Sequence, residues 1–324
     1  MTDGFGRTIE YLRISLTDKC NLRCRYCMPP EKINHVPHEE ILTYEEIEKI
    51  VRVMAEMGLK KVRLTGGEPL VRRNIENLVA RLNKISGIKE ICLTTNGILF
   101  SDFAESLKKA GLSRVNISLD TLNDDTFFEI TGFHGLGAVL KSIEKSLELG
   151  FPLKINVVPS EWNKKELCEL ALFAKNAPVD VRFIELMPIG TAFEMTGLSS
   201  YFVRSELEAR FGRGISCGRK AHEPVSLFQF EGFKGKIGFI SPLTNAFCPE
   251  CNRVRLTAGG MLKLCLCYDD AFDIKKILRS EIAEDRIEKE LKKQIENALL
   301  QKPLAHQLNN HQKTLSKMMY EIGG

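Results

Sequence analysis

Six short strand-like segments, alternating with longer helix-like ones, run through the first two-thirds of this chain. The strand signals fall at 11–16, 61–65, 91–95, 114–119, 153–158 and 181–186. Such alternation predicts a parallel sheet with crossover helices. Strands covered on both faces should read as nearly unbroken apolar runs, and these do not. Arg13 and Ser15 alternate with Leu12, Ile14 and Leu16; Lys61, Arg63 and Thr65 alternate with Val62 and Leu64. Asn116, Ser118 and Asp120 alternate with Val115, Ile117 and Leu119, while Thr94 shares a parity with Asn96 and Lys154 with Asn156. Period two places each polar set on one face. If the apolar faces carry the helices, the polar faces line an interior. An interior of Arg, Lys, Asn and Thr is a cavity for a large anionic ligand. The alternative places these strands at edges facing solvent. The sixth strand fits less well, because Arg182 shares its parity with Ile184 and Phe183 with Glu185. Six strands are too few to close an eight-stranded barrel, so the predicted fold is α/β, an open, partial (β/α)6 barrel.

Helices are predicted at 44–57, 75–85, 103–110, 137–149 and 163–176. Thr43 with Glu46, and Asn163 with Glu166, have capping-box spacing, and Gly58, Gly111 and Gly150 stand where helices should stop. The character changes near residue 223. Segments 224–230 and 236–240 read as paired strands around Gly232 and Gly235, followed by a cysteine-bearing loop. Charged helical sequence over 272–300 then carries an apolar stripe, Ile277, Ile282, Ile287, Leu291 and Ile295, read as a docking face. Two units are expected, 1–222 and 223–324. The 324 residues suit one large domain and a smaller one, 44% hydrophobic content supports a sizeable core, and a net charge of +4 does not by itself imply nucleic acid. No apolar run approaches membrane-spanning length and the first residues lack a secretory h-region. The expectation is a soluble, cytoplasmic protein with no membrane or nucleic-acid partner. Ten cysteines in such a chain favour reduced thiols and metal sites.

Cys20, Cys24 and Cys27 form a C-x-x-x-C-x-x-C loop, and Cys248, Cys251 and Cys265 form a second set. Three closely spaced thiolates can wrap one corner of a cubic iron–sulfur cluster. Such clusters usually take four protein ligands, so three leave one iron open to another ligand. A structural zinc site is the rival, weak at the first set and serious at the second, where Cys267 makes a fourth thiol. Thr65-Gly66-Gly67-Glu68-Pro69 follows the second strand: paired glycines permit close backbone approach, and Glu68 can accept bonds from an ammonium group. Arg13, Lys61, Arg63, Lys154 and Arg182 from strands, with Arg253 and Arg255 from the second cysteine loop, suit a polyphosphate. Cys92 reads as a strand residue near the cavity, Cys168 as helix core, and Cys217 has no assignment.

The stretch Tyr11-Leu-Arg-Ile-Ser-Leu-Thr-Asp-Lys-Cys20-Asn-Leu-Arg-Cys24-Arg-Tyr-Cys27-Met-Pro29 resembles the start of radical S-adenosylmethionine enzymes. More narrowly, it is similar to the GTP 3′,8-cyclase family of molybdenum-cofactor biosynthesis. The resemblance continues through Gly-Gly-Glu-Pro, Thr94-Thr-Asn-Gly97, Ser118-Leu-Asp120, Lys154-Ile-Asn156, Arg182-Phe-Ile-Glu-Leu-Met187, the second cysteine loop and Gly323-Gly324. It implies a partial barrel whose open side is covered by a smaller iron–sulfur domain. It also implies two [4Fe-4S] clusters, on Cys20, Cys24, Cys27 and on Cys248, Cys251, Cys265; the family need not have cysteine at Cys267. S-adenosyl-L-methionine would meet Tyr26, Gly67, Ser118 and Met187. GTP would meet Arg13, Arg63, Thr94, Lys154, Arg253 and Arg255, with Lys61 and Arg182 as further phosphate contacts. The implied activity is reductive cleavage of S-adenosylmethionine to a 5′-deoxyadenosyl radical, which abstracts the C3′ hydrogen of GTP. The product would be (8S)-3′,8-cyclo-7,8-dihydroguanosine 5′-triphosphate. Partners implied are an electron donor and, by pathway, cyclic pyranopterin monophosphate synthase; a monomer or homodimer is expected. The rival readings are another radical enzyme acting on peptide or RNA, and a non-catalytic iron–sulfur or zinc module.

Overall fold

The computed structural model describes residues 1–29, 33, 35–219, 222–308 and 318–323. The chain runs β1 (Tyr11–Ser15), α1 (Tyr44–Glu56), β2 (Lys61–Thr65), α2 (Ile75–Asn83), β3 (Glu90–Thr95), α3 (Phe100–Ala110) and β4 (Arg114–Ser118). It continues through α4 (Asp124–Thr131), α5 (Leu136–Glu148), β5 (Leu153–Val157), α6 (Leu167–Asn176), β6 (Asp180–Ile184) and α7 (Ser200–Phe211). The remainder is β7 (Ile215–Ser216), β8 (Val225–Gln229), β9 (Ile237–Ile240), β10 (Arg253–Leu256), β11 (Met261–Lys263), β12 (Ala271–Asp273), α8 (Lys275–Leu278), α9 (Glu284–Leu300) and α10 (Met319–Ile322).

The twelve strands among the described residues belong to one sheet, ordered β12-β11-β10-β1-β2-β3-β4-β5-β6-β9-β8-β7. The six strands β1 to β6 pair in parallel, as their alternation with helices demands. Two later strands lengthen the parallel run, β10 beside β1 and β9 beside β6. Antiparallel ladders finish both ends. The two ends do not pair among the described residues, so the barrel stays open.

The apolar halves of the strands face the helices. Leu12, Ile14, Val62, Leu64, Leu93, Val115, Ile117, Ile155, Val181 and Phe183 are all fully buried, each contributing about 1.5–3 kcal/mol of hydrophobic stabilisation. Helix α1 starts at a complete capping box: Glu46 N donates to Thr43 Oγ1 at 3.1 Å, and Thr43 N donates to Glu46 Oε2 at 2.7 Å. Helix α3 ends at Gly111, whose φ of 101° is left-handed and strains any residue with a Cβ.

Four expectations need correction. Asn163 and Glu166 do not cap α6. Asn163 is fully buried and donates to the carbonyls of Asp120 and Val158, while Glu166 accepts from Thr121 Oγ1 and Leu122 N. Both brace the loops after β4 and β5, long-range partners that local spacing does not reveal. Helix α4 was not anticipated, although Asn123 caps it by accepting from Thr126 N at 2.9 Å. Arg253 and Arg255 lie on a strand rather than a loop, because β10 pairs with β1, 242 residues earlier, and with the neighbouring β11. In the C-terminal stripe, Ile287, Leu291 and Ile295 are buried where α9 packs against α1, but Ile282 precedes the helix and is exposed.

Candidate active site

The polar halves of the strands converge on a cavity of about 600 Å³, within the range of small-molecule and cofactor sites. Register makes it cationic. Arg255, Arg13 and Arg63 stand side by side across β10, β1 and β2, and the row continues through Cys92 to Arg114. Arg253, Lys61 and Arg182 also line the wall. Burial and the Arg255 charge push the Arg13 guanidinium down to about 9. Burial and Arg253 push Arg255 down to about 10, and burial does the same at Arg182. Arginines stay protonated in proteins, so these depressions measure a demand for negative charge.

The other polar atoms are similarly unmet. Arg182 Nε, Arg253 Nε and Nη2, and the amide oxygens of Asn116, Asn156 and Asn252 are buried without a hydrogen-bond partner. Orphaned buried groups of this kind are rare in a folded protein, and all of these residues line the cavity. Other predicted contacts are already partnered. Arg63 donates to Tyr11 Oη, Leu93 O and Thr94 Oγ1. Lys61 pairs with Glu90 at 2.6 Å. Lys154 is absent from the lining; its ammonium meets Asp180 at 3.4 Å, and burial with the Arg182 and Arg114 charges pushes it down to about 8.

Cys20, Cys24 and Cys27 open onto one end of the cavity, with Tyr26, Gly67, Ser118 and Met187 beside them. The cysteine loop leans on α4: Arg23 N donates to Thr131 O at 2.7 Å and Arg25 N to Ile130 O at 3.0 Å. Gly67 is needed for a protein contact, since a Cβ there would lie 2.4 Å from Lys19 O. Glu68 accepts from Leu70 N, Thr95 Oγ1 and Asn96 N, and burial raises it to about 7. A carboxylate has about four acceptor sites, so one remains for an ammonium. Tyr26 donates to Asp120 at 2.6 Å; Asp120, braced by the Asn163 and Glu166 bonds to its loop, was expected on a polar face but without a role. So was Asn96, whose amide lies 3.7 Å from Cys20 Sγ.

Cys248, Cys251, Cys265 and Cys267 all line the opposite end. The loop carrying the first two is tied to Glu185, which accepts from Leu243 N, Thr244 N and Thr244 Oγ1. His306, also unforeseen, lines the cavity and faces Cys248. Arg7, Lys302 and the buried Asp3 lie behind the loop.

The two ends differ electrostatically. Burial raises Cys20 to about 11 and Cys27 to about 12, with the Glu68 charge adding at Cys20; burial, Cys27 and Asp120 raise Cys24 well above its ordinary range. At the far end, burial pushes Cys248 up, but His306 more than offsets it and the net shift is down. The hydrogen bond with Cys267 lowers Cys265 to about 5 against its burial, helped by Lys302 and Arg255, and Cys267 is raised as the donor.

Each set fits the iron–sulfur cluster expected of it. The thiols of each set are partly buried and line the cavity, whose space also leaves room for a further ligand. Among the described residues, no group of three or more His, Cys, Asp or Glu is arranged to hold a single metal ion. A cluster instead places each thiolate on its own iron.

Fold and thiol geometry together define a radical S-adenosylmethionine protein. A model of the Radical SAM superfamily matches residues 14–174, and one described as Molybdenum Cofactor Synthesis C matches 179–308. Within that class the chain belongs to the GTP 3′,8-cyclase family. It is 45% identical over 328 residues to the GTP 3′,8-cyclase of Clostridium perfringens (strain SM101 / Type A), with all of both chains covered. Identity is 44% to that of Desulforamulus reducens and 43% to that of Alkaliphilus metalliredigens, again over both full chains. Solved structures share the fold at low identity. Streptococcus suis SuiB matches with a TM-score of 0.64 at 16% identity, covering 92% of this chain and 67% of that one. A structure of anSMEcpe with bound AdoMet gives 0.51 at 20% identity, covering 63% and 58%.

Proposed function

We propose that the protein is a GTP 3′,8-cyclase, joining C3′ of GTP to C8 of its guanine to give 3′,8-cyclo-7,8-dihydro-GTP. The observation that carries this is one cavity lined by both sets of thiols and by buried, partly unpartnered cations. A nucleoside triphosphate supplies the charge those cations lack, and its base and ribose offer donors and acceptors to Asn116, Asn156 and Asn252.

Cys20, Cys24 and Cys27 would hold the first [4Fe-4S] cluster, and Cys248, Cys251 and Cys265 the second. The first cluster with S-adenosylmethionine supplies, when bound, strongly reducing radical chemistry. The protein's own work is placement. Gly67 and Glu68 hold the loop and the amino end of the cofactor, while Tyr26, Ser118 and Met187 form its wall. Asn163 and Glu166 fix the Asp120 loop against Tyr26. Arg13, Arg253 and Arg255 fix the triphosphate, so that the ribose lies between the two ends. Arg63 with Thr94 shapes the wall behind it. Lys61, Lys154 and Arg182 add positive potential, Lys61 and Lys154 from within ion pairs.

Residues 223–324 would cover the open side of the barrel formed by 1–222, and they add strands at both its edges. An external one-electron donor, a cytoplasmic setting, a monomer or homodimer, and a downstream cyclic pyranopterin monophosphate synthase complete this reading. The test is an anaerobic assay with GTP, S-adenosylmethionine and a strong reductant, products identified by mass. Formation of 5′-deoxyadenosine together with a cyclised triphosphate is the expected result; cleavage without any GTP-derived product would reject the substrate.

A further inference from the structure

Lys302 is an ammonium that the proposed chemistry does not use. It is 2% exposed, and among the described residues no carboxylate forms an ion pair with it. Its nitrogen donates to Arg253 O at 2.8 Å and to Leu264 O. Those carbonyls belong to the second residue after Cys251 and the residue just before Cys265, so the ammonium spans the two halves of the second thiol set from behind. Arg7 reinforces it: its guanidinium donates to Cys248 O at 2.8 Å, to Pro303 O at 2.7 Å and to Leu304 O at 3.0 Å, while Asp3 neutralises it at 2.5 Å.

A buried charge without a counter-ion is strongly disfavoured, so negative charge must lie within reach of Lys302. Asp3 is near but already pairs with Arg7, so an anionic group held by the second thiol set is what the bonds to Arg253 O and Leu264 O place within reach. Among the described residues, no equivalent buried ammonium stands behind the first set. There the buried charged neighbours are the carboxylates Glu68 and Asp120, and Arg23, which donates to Cys20 O, is exposed.

We propose that Lys302 is a positioning residue that raises the reduction potential of the group held by Cys248, Cys251 and Cys265, so that this site accepts an electron before the Cys20, Cys24, Cys27 site does. Local charge and hydrogen bonding are among the factors that set cluster potentials. A fixed cation favours the reduced, more negative state of its neighbour, and buried carboxylates disfavour it. The inference rests on the reading that the second set holds an iron–sulfur cluster.

The experiment uses full-length, anaerobically reconstituted protein, titrated stepwise with dithionite and followed by electron paramagnetic resonance, with iron and sulfide counted in each sample. Cys24→Ala and Cys265→Ala variants assign each signal to its site. In the wild type the second-set signal should develop at the less negative potential. Lys302→Met should move that signal to more negative potential and leave the first unmoved. The expected size is at least a tenfold change in the reduced-to-oxidised ratio, about 59 mV for one electron. Should Lys302→Met lose the second site's iron, Asp3→Asn decides, because freeing the Arg7 charge should move the same signal in the positive direction. Two clusters' worth of iron with an unmoved second potential in Lys302→Met overturns the inference alone, as does an equal movement of both signals or an unmoved signal in Asp3→Asn. Iron for only one cluster in the wild type overturns the cluster reading and the inference together.

Discussion

Arg13 and Arg255 occupy the same register position on adjacent parallel strands. Like charges directly opposite one another destabilise a sheet. The arrangement stores a deficit of negative charge that a triphosphate would remove, so function and stability should pull in opposite directions here.

Arg255→Met should therefore weaken GTP use by roughly 10–150-fold, since a charge-assisted hydrogen bond contributes about 1.5–3 kcal/mol. The ligand-free protein should melt no lower than wild type. Titration with GTP and thermal melts of the same samples check both halves; undiminished affinity would assign Arg255 to the fold alone.

Lys154→Met gives a pH-dependent version of the same conflict. The folded-state pKa is about 8 against an ordinary 10.5, so the charged lysine opposes folding fully below pH 8. That opposition fades between about pH 8 and 10.5 as the folded protein releases the proton first. The variant should be more stable than wild type at pH 7, with the gap closing by about pH 10. Melting curves across that range measure it, and a constant gap would mean packing rather than charge is responsible.

Cys24→Ala should remove one cluster's iron and abolish 5′-deoxyadenosine formation, because two thiolates cannot hold the first site. Wild-type cleavage by this variant would refute the radical assignment of that loop.

Cys265→Ala should lose the second cluster's iron, whereas Cys267→Ala should keep it. Cys265 Sγ accepts from Cys267 N at 3.5 Å, and the contact between the two thiols lowers Cys265 and raises Cys267. Iron, sulfide and zinc counts on both variants decide; equal loss with zinc present would indicate a four-cysteine zinc centre instead.

Asn163→Leu should destabilise the fold by about 1–3 kcal/mol, leaving the buried Asp120 carbonyl and the half-buried Val158 carbonyl without this donor. Urea unfolding measures the stability. Cofactor-dependent activity should fall further than stability does, since the same loop carries Asp120 to Tyr26.

The strand alternation around Arg13, Arg63 and Asn116 carried most of the site, because period two translates directly into which face a side chain occupies. The thiol sets were equally legible, being set by short spacings. What escaped was long-range. Arg253 and Arg255 form a strand held between β11, close in sequence, and β1, far from it. Asn163 and Glu166 carry the letters of a helix cap yet bind a loop more than 40 residues earlier. His306 and Lys302 have no local pattern at all. Gly323 packs against Ser15 and Thr65, with its carbonyl accepting from Arg255, while Gly324 lies outside the described residues.

The bonds from Arg7 to Cys248, Pro303 and Leu304 also fix an order of assembly. They join segments separated by 241 and nearly 300 residues, and loops of that length close late in folding. The first thiol set leans on α4, about a hundred residues away, but Cys27 also lies against the backbone of Tyr320. Each set therefore takes its final backing from the C-terminal segment, the second around residue 304 and the first around residue 320. Both sites stay unfinished until nearly the whole chain has left the ribosome.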